Sequence, residues 1–401
     1  MSSVQASRIA PGSGAFIALI AAMMTMTAMS IDINLPAIPA TAADLGASLT
    51  ASQLTVTIFF GGFALGQLFW GPLSDRHGRK PCVLIGTVIY VLASIGCTAA
   101  ADMPTLLALR AVQGVGAGAG SVLGRAIVRD LFEGPRMAHM LSLVMAAFIT
   151  APVVAPTIGA LILGFASWRW IYGFLSLYGL VMLGLVALFL EESLKTRNPH
   201  ALGAAPLLRA FGAVFRDPRS RAWALIVVIV FGTLTVYLTN SSAVFMEGYG
   251  MTASQFGAAF ALVAICSSIG NILNSRLVHA ASLGQLIRRA LATSILAAAL
   301  ALGLAVTGFG GVWALILAIG LFFVAFGMVA ANATTLALAP HAGHAGSAAA
   351  ALGFAQTVVP ALLGGIVAGF YDGTAIPMLA TILVLFALCW LIAWRTRAPA
   401  A

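Results

Sequence analysis

"GPLSDRHGRK" (residues 71–80) is a short polar stretch that separates two long apolar runs of the sequence, at 52–73 and 81–100. Each run has the roughly 20 residues that a helix needs to cross a hydrocarbon layer about 30 Å thick. The strands of a membrane barrel are about half as long. The stretch therefore predicts a tight loop between two transmembrane helices.

The same alternation of apolar runs and short polar breaks continues through all 401 residues, of which 61% are hydrophobic and 8% charged. The mean hydropathy of +1.05 is higher than a soluble core of this size needs. The breaks predict twelve helical spans, at 15–38, 52–73, 81–100, 104–128, 138–163, 168–190, 222–246, 254–275, 287–308, 311–338, 346–370 and 376–394. The predicted fold class is an all-α membrane protein.

The longest polar break divides the predicted spans six and six. We therefore expect an N-terminal six-helix bundle at 1–190, a linker at 191–221 and a C-terminal six-helix bundle at 222–401. A weak second copy of the polar loop, "GNILNSRLVHAASLGQLIRR" (270–289), keeps a glycine and a basic end but has no acidic residue. This decayed repeat favours two pseudo-symmetric halves.

The positive charges indicate the orientation in the membrane. Of the 20 Lys and Arg residues, all except Arg110 and Arg169 fall in the termini or in connectors on one side of the predicted membrane. Because cytoplasmic connectors carry an excess of Lys and Arg, both termini and the linker are expected in the cytoplasm. The net charge of +9 is then a topology signal, and no nucleic-acid partner is expected.

Two charged residues lie inside predicted spans. Asp32, in "TAMSIDINLPAIP" (27–39), and Arg110 each lie five to seven residues from the outer end of a span, which places both about 9 Å deep. A charge at this depth costs a few kcal/mol unless it faces a partner or water. We therefore expect the two side chains to share a cavity and to take part in proton exchange.

The loop at 71–80 matches G-x-L-[AS]-D-R-x-G-R-[KR] and so resembles the loop signature of the major facilitator superfamily. The resemblance implies two six-helix bundles and a loop that acts as a conformational latch. The latch residues in the loop are Gly71, Asp75, Arg76, Gly78 and Arg79. Arg125 and Arg129, in the fourth span, are the candidate partners of Asp75. Gly71 and Gly78 are expected to permit close packing and a sharp turn.

Two further stretches resemble motifs of the same superfamily. "LALRAVQGVGAGAGSVLGRAIVRD" (107–130) resembles its R-x-x-Q-G-x-G-A motif, and the alternate glycines predict close approach of neighbouring helices. "APVVAPTIGAL" (151–161) resembles the antiporter motif, with alanines in place of several glycines. Because proline bends a helix, this fifth span is expected to gate the outer side through Pro152, Pro156 and Gly159.

"D-x-x-L-P-A-I-P" around Asp32 and "YLTNSSAVFMEGYGMTASQFGAAFAL" (237–262) resemble the Bcr/CflA branch of bicyclomycin and chloramphenicol exporters. The resemblance implies antiport of drugs against protons. The chemistry of Asp32 is consistent with exchange of a proton. Burial raises the proton affinity of a carboxylate, whereas a neighbouring arginine lowers it. Two alternatives stay open: a permanent Asp32–Arg110 salt bridge, and a metabolite exporter or proton-coupled uptake symporter on the same scaffold.

Polar or aromatic side chains inside the spans are candidates for substrate binding, although each can equally bond one helix to another. They are Asn34, Gln113, Tyr237, Asn240, Asn271, Asn332 and Gln356. The expected partners are a small molecule, protons and membrane lipid, and the chain is expected to be a monomer. No phosphate-binding G-x-x-x-x-G-K-[ST] motif or metal-ligand cluster occurs, so we expect no cofactor, no metal and no enzymatic activity.

Overall fold

The computed structural model describes residues 9–199 and 211–396, apart from the side chains of 138, 147–149 and 342–345. In this part of the chain, twelve helical spans are long and apolar enough to cross a membrane, which confirms the predicted fold class. Arg8, Arg209, Arg397 and positions 200–210 of the predicted linker lie outside the described residues.

Among the described residues, seven helices begin before position 191 and six more begin at Pro218 or later. The first seven are α1 (Gly14–Asp32), α2 (Ile38–Asp44), α3 (Leu49–His77), α4 (Arg79–Thr98), α5 (Met103–Leu131), α6 (Gly134–Leu163) and α7 (Arg169–Phe189). The others are α8 (Pro218–Ser242), α9 (Ala253–Leu277), α10 (Leu283–Thr307), α11 (Gly311–Leu338), α12 (Ala345–Ala368) and α13 (Ile376–Arg395). The short α2 completes the first span.

The first span is interrupted, although the sequence predicted one continuous helix at 15–38. Helix α1 ends at Asp32, a 3₁₀ turn covers Leu35–Ala37, and α2 follows. The cause is Pro36, which has no N–H to donate to the carbonyl of Asp32 four residues earlier. The seventh span is also irregular, because a wide π-helical turn, Ala243–Gly248, follows α8.

By contacts, the chain forms two compact units. The first contains the chain up to Asn34 together with the residues from Ile58 into the linker, and the second contains Leu35–Thr57 together with the residues after the linker. In the first unit, α4 packs against α5 and α7, and α1 packs against α5 and α6. In the second unit, α8 packs against α11, α12 and α13, and α11 also packs against α9 and α10.

Helix α5 lies at the centre of the first unit because glycines let two other helices approach its backbone. A Cβ atom at Gly116 would lie 2.6 Å from the backbone nitrogen of Tyr90 in α4, and one at Gly120 would collide with the carbonyl oxygen of Met23 in α1. The predicted close approach at the alternate glycines is confirmed at these positions. This packing brings Arg110 of α5 to the end of α1.

Candidate functional site

Arg110 is completely buried and lies in a set of hydrogen bonds that join three helices. Its Nη1 atom donates to the carbonyl oxygen of Ser30 at 3.2 Å and to Oε1 of Gln113 at 2.6 Å. The guanidinium carbon also lies 4.4 Å from the ring centre of Phe59, in cation–π geometry. The last carbonyls of a helix have no partner within it, so Arg110 caps the C-terminal end of α1.

Asp32, the last residue of α1, is only 4% exposed. Within the described part of the chain, its carboxylate forms no ion pair and no hydrogen bond. The structure therefore has no Asp32–Arg110 salt bridge, the alternative that the sequence left open. Arg110 is instead bonded to the backbone of Ser30, two residues before Asp32.

Gln113 holds Arg110 in place. Its Nε2 atom donates to Oγ of Ser94 at 2.7 Å, while its Oε1 atom accepts from Arg110. The hydroxyl of Ser94 in turn donates to the carbonyl of Tyr90 at 2.7 Å, and the hydroxyls of Tyr90 and Ser30 are 2.7 Å apart. Both ends of the Gln113 amide are thus bonded inside the first unit.

Among the buried polar atoms of the first unit that have no hydrogen-bond partner within the described residues are Oδ1 of Asn34 and the hydroxyl oxygen of Tyr172. Asn34 follows Asp32 by two residues, and the Tyr172 ring centre lies 5.8 Å from the guanidinium carbon of Arg110. Because an unpaired buried polar group costs about 1–3 kcal/mol, these atoms are available to a ligand or to water.

In the second unit, Asn240 lies in a buried polar cluster with Gln53. The Gln53 Nε2 atom donates to the carbonyl of Thr239 at 3.2 Å and to Oδ1 of Asn240 at 3.4 Å. Asn240 donates from Nδ2 to the carbonyls of Val236 at 2.9 Å and Gly364 at 3.4 Å. These bonds contribute to holding Leu35–Thr57 in the second unit.

The other predicted substrate residues of the second unit are spread over several helices. Tyr237 is buried and its ring contacts those of Phe260 and Phe323, with centres 5.7 and 5.1 Å apart. Asn332 forms a reciprocal amide pair with Asn274, with N–O distances of 2.7 and 3.2 Å.

Asn271 is half-buried and donates to the carbonyl of Ser267 in its own helix, at 3.2 Å. Gln356 is also half-buried. The side-chain amides of Asn240, Asn271 and Asn332 are therefore hydrogen-bonded to protein groups. The sequence analysis gave such bonding as the alternative to substrate binding.

The loop at 71–80 is organised around Arg79, which is 3% exposed. Its Nη1 atom donates to Oδ1 of Asp75 and to Oγ of Ser74, each at 2.6 Å. Its Nε and Nη2 atoms donate to the two carboxylate oxygens of Asp130, at 2.8 and 3.4 Å. This guanidinium thus joins the end of α3 to the end of α5.

The partner expected for Asp75 needs correction. The structure places Arg79 there, four residues away, whereas Arg125 and Arg129 have exposed side chains. The sharp turn at Gly78 folds Arg79 back onto Asp75, and Asp130 of the fourth span joins them. The expectation for Gly71 is also wrong, because a Cβ atom there would meet nothing within 4 Å. Arg76 is exposed.

Helix α6 carries the residues predicted to gate. Pro152 and Pro156 lie inside it, and Pro156 and Gly159 are buried. Alanines that replace motif glycines, Ala151 and Ala155 among them, are buried too, and α6 packs along α1. This places α6 beside the helix that ends at Asp32.

Several residues that complete these clusters were not singled out from the sequence. They are Ser30, Gln53, Tyr90, Ser94, Asp130, Glu192 and Asn274. Asp130 and Asn274 lie inside quoted motifs. Asp130 follows a basic residue and Asn274 lies near another asparagine, so the sequence did contain a signal for both. Ser30, Tyr90 and Ser94 carried none, because hydroxyl side chains are common in membrane helices.

The fold is that of a twelve-helix transporter. It superposes on the xylose transporter XylE from E. coli with a TM-score of 0.74, at 14% sequence identity, over 95% of this chain and 98% of that one. The sequence profile of the Major Facilitator Superfamily matches residues 16–369. The chain belongs to this superfamily.

Two relatives are similar over most of their length. An uncharacterized MFS-type transporter, YdgK, from Bacillus subtilis is 34% identical over 89% of each chain. A bicyclomycin resistance protein homolog from Haemophilus influenzae is 31% identical over 91% of this chain and 92% of its own. These similarities confirm the resemblance to the bicyclomycin branch.

Proposed function

We propose that the protein is a proton-coupled antiporter that exports small amphipathic drugs or toxic compounds by alternating access. Membership of the superfamily and similarity to a bicyclomycin resistance protein homolog support export of drugs. The observation that carries the coupling is the Asp32 carboxylate, which is buried and unpaired in the described residues at the break of the first span.

The energetics of Asp32 explain how one proton can direct the cycle. An ionised carboxylate buried without a partner costs several kcal/mol, whereas the protonated carboxyl does not carry this cost. The surroundings seen here therefore suit the protonated form. Entry of water or of a cationic substrate removes the penalty and favours release of the proton, so that loading of substrate and loss of the proton are linked.

Arg110 is proposed to transmit this change to the helix. It binds the carbonyl of Ser30, and the chain breaks two residues later. An ionised Asp32 would attract the guanidinium, in competition with Ser30 and Gln113. Proton release would then loosen the cap of α1, which gives a physical route from charge to conformation.

The substrate is proposed to contact the polar and aromatic residues named from the sequence. Asn34, with its unpartnered Oδ1 atom, and Tyr237, with its aromatic neighbours, have the strongest structural support. Gln113 acts through Arg110. Asn240, Asn271, Asn332 and Gln356 complete the proposed set.

The loop at 71–80 is proposed to act as the latch that stabilises one conformation, with Arg79 at its centre and Asp75 and Asp130 as its acceptors. Arg76, Arg125 and Arg129 are exposed and are proposed to contact the anionic membrane surface. Pro152, Pro156 and Gly159 are proposed to let α6 bend beside α1.

The proposed location is the bacterial cytoplasmic membrane, with both termini and the 191–221 linker in the cytoplasm and a six-helix bundle on each side of the linker. The distribution of Lys and Arg supports this orientation. The protein is proposed to work as a monomer, with a small molecule, protons and lipid as its partners.

The test is transport into everted membrane vesicles under an imposed pH gradient, with bicyclomycin and a fluorescent lipophilic cation as probes. We expect accumulation driven by the gradient, and loss of at least about tenfold in rate for Asp32→Asn, because that side chain cannot exchange a proton. Asp102→Asn is the matched control, since Asp102 is an exposed helix-capping carboxylate and asparagine also caps.

Unchanged proton coupling in Asp32→Asn rejects the carrier role of this residue. Transport in the opposite direction identifies an uptake symporter on the same scaffold. Growth inhibition in a bacterium that lacks its own exporters gives the parallel readout, because resistance must fall in Asp32→Asn at equal membrane content.

A further inference from the structure

Helix α4 begins without a capping side chain of its own. The residue before it, Gly78, has a φ of 107° and no side chain to accept from the first N–H groups. Glu192, which follows α7 by three positions, supplies the missing acceptor. Its Oε1 atom accepts from the backbone N–H of Arg79 at 2.9 Å and its Oε2 atom accepts from that of Lys80 at 3.2 Å.

The geometry at Gly78 is matched to this carboxylate. A Cβ atom at position 78 would collide with Oε2 of Glu192, and the φ of 107° lies where residues with side chains are strained. A carboxylate at a helix N-terminus also interacts favourably with the helix dipole. Glycine at 78 and glutamate at 192 are therefore parts of one arrangement.

The interaction is reciprocal between the two helices. Lys80, in the first turn of α4, donates from Nζ to the carbonyl of Ala187 at 2.9 Å, near the C-terminal end of α7. A cation is favourable at that end for the same dipolar reason. The end of the sixth span and the start of the third thus hold each other through opposite charges.

The residues after Glu192 continue the contact into the latch. Ser193 donates from Oγ to Oδ2 of Asp130 at 3.2 Å, the same oxygen that accepts from Arg79. Further along, the N–H of Asn198 donates to the backbone carbonyl of Asp75 at 2.8 Å. The first part of the linker therefore contacts both acidic residues that bind Arg79.

We propose that Glu192 is a positioning residue of the latch, and that the segment 192–198 is a brace that holds α4 in the latched arrangement. When the brace releases, the start of α4 loses its cap, and Asp130, which binds Arg79, loses its hydrogen bond from Ser193. The linker then controls how long the transporter stays latched. The proposal goes beyond drug–proton exchange, because it assigns control of the latch to the linker that joins the two halves of the sequence.

The test uses two native cysteines of α4 as reporters. Cys82 lies three residues after Arg79 and Cys97 near the other end of the helix, and both are buried. In a full-length protein in which Cys266, Cys389 and one of these two are replaced by alanine, labelling by N-ethylmaleimide reports opening at the remaining thiol. The variants are Glu192→Ala, Glu192→Gln and Gly78→Ala, which keeps the carboxylate but displaces it.

A matched control is Glu133→Gln, which removes an exposed carboxylate that precedes α6 without capping it. We expect Glu192→Ala and Gly78→Ala to speed Cys82 labelling by about fivefold, as loss of a helix cap does for a local opening equilibrium. Cys97 labelling should not change. In these two variants the maximal transport rate should change while the affinity for the bound probe stays within twofold. Glu192→Gln should show intermediate labelling and transport rates, and Glu133→Gln should behave like the parent.

Equal acceleration at Cys82 and Cys97 would show general loosening of the helix and would overturn the proposal. Labelling and turnover of all three variants within twofold of the parent would overturn it too. If the parent protein exports nothing under a pH gradient, the proposed function fails, yet the labelling rates still decide whether Glu192 holds the latch.

Discussion

Two arginines that are buried in the described part of the first unit, Arg110 and Arg79, are held in different ways. Arg110 binds a backbone carbonyl, an amide oxygen and the face of an aromatic ring. Arg79 binds two carboxylates, one of them through both of its oxygens. Arg110 is bound by dipoles, and the nearby Asp32 has no ion pair in the described residues. Arg79, in contrast, forms ion pairs with both Asp75 and Asp130.

Under the proposed function, this difference distinguishes the proposed proton site from the proposed latch. A carboxylate that already has a bound arginine gains little from a proton, because protonation would break the pair. A buried carboxylate without a partner gains much. The first arrangement suits a latch and the second suits a proton carrier.

The largest expected effect comes from removing the dipole-bound arginine. Arg110→Ala leaves the carbonyl of Ser30 and Oε1 of Gln113 unpaired in a buried site, which costs about 2–4 kcal/mol of unfolding free energy. We expect a fall of several degrees in the Tm of the detergent-purified protein and loss of transport. Arg110→Lys should recover part of the stability only, because one ammonium cannot reproduce the planar fork. A Tm of Arg110→Ala equal to that of the parent would contradict the conclusion that the bonds of Arg110 stabilise this site.

A smaller effect is expected when the charge-bound arginine loses one acceptor. Asp130→Asn keeps the shape but replaces one accepting oxygen with an NH₂ group, so the bidentate bond is lost, at a cost of about 1 kcal/mol. Asp75→Asn should cost less, since the Asp75 side chain is 44% exposed and that of Asp130 is 16% exposed. The measurement is Tm for each variant. The reverse order would contradict the assignment of Asp130 as the main partner.

The smallest effect concerns Asp102, an exposed carboxylate that caps α5. Its hydrogen bond from the N–H of Thr105, at 2.8 Å, holds the pKa of the carboxyl below its ordinary value of 3.8. The capping stabilisation is therefore fully present above that value and is lost as the pH falls through the folded-state pKa. Any pH dependence of transport near neutrality is then separate from this group.

The check is the Tm difference between the parent and Asp102→Ala, which should be larger at pH 6 than at pH 3. Thr252→Ala is the control, because Thr252 caps α9 with an uncharged hydroxyl. Its Tm difference should show no comparable decrease. Parallel behaviour of the two variants would mean that ionisation of Asp102 contributes nothing.

The sequence predicted a tight loop at 71–80 but not all of its partners. Gly78 and Arg79 belong to a continuous motif, and a continuous motif can be read directly. Asp130 and Glu192 come from other helices, at distances along the chain that no local pattern encodes. The expected Arg125 or Arg129 partner for Asp75 was wrong because Arg79, four residues away, reaches it across the turn.

For the candidate proton site, the sequence identified the charged residues but not their contacts. A charge inside an apolar span is conspicuous, so Asp32 and Arg110 were found. The sequence predicted one continuous helix through the break after α1, and no pattern in it indicated that Arg110 binds the carbonyl of Ser30 and not the Asp32 side chain.

The sequence alone determined the twelve spans, because membrane helices must be long and apolar, and it located Asp32 and Arg110 because a charge inside an apolar span violates that rule. The tertiary structure alone decided which groups meet. Close approach at glycines such as Gly116 brings α4, α5 and α1 together, and only then do Arg110, Gln113 and Ser94 form one set of bonds. Hydropathy is a property of each segment, whereas a hydrogen bond between helices requires their relative positions.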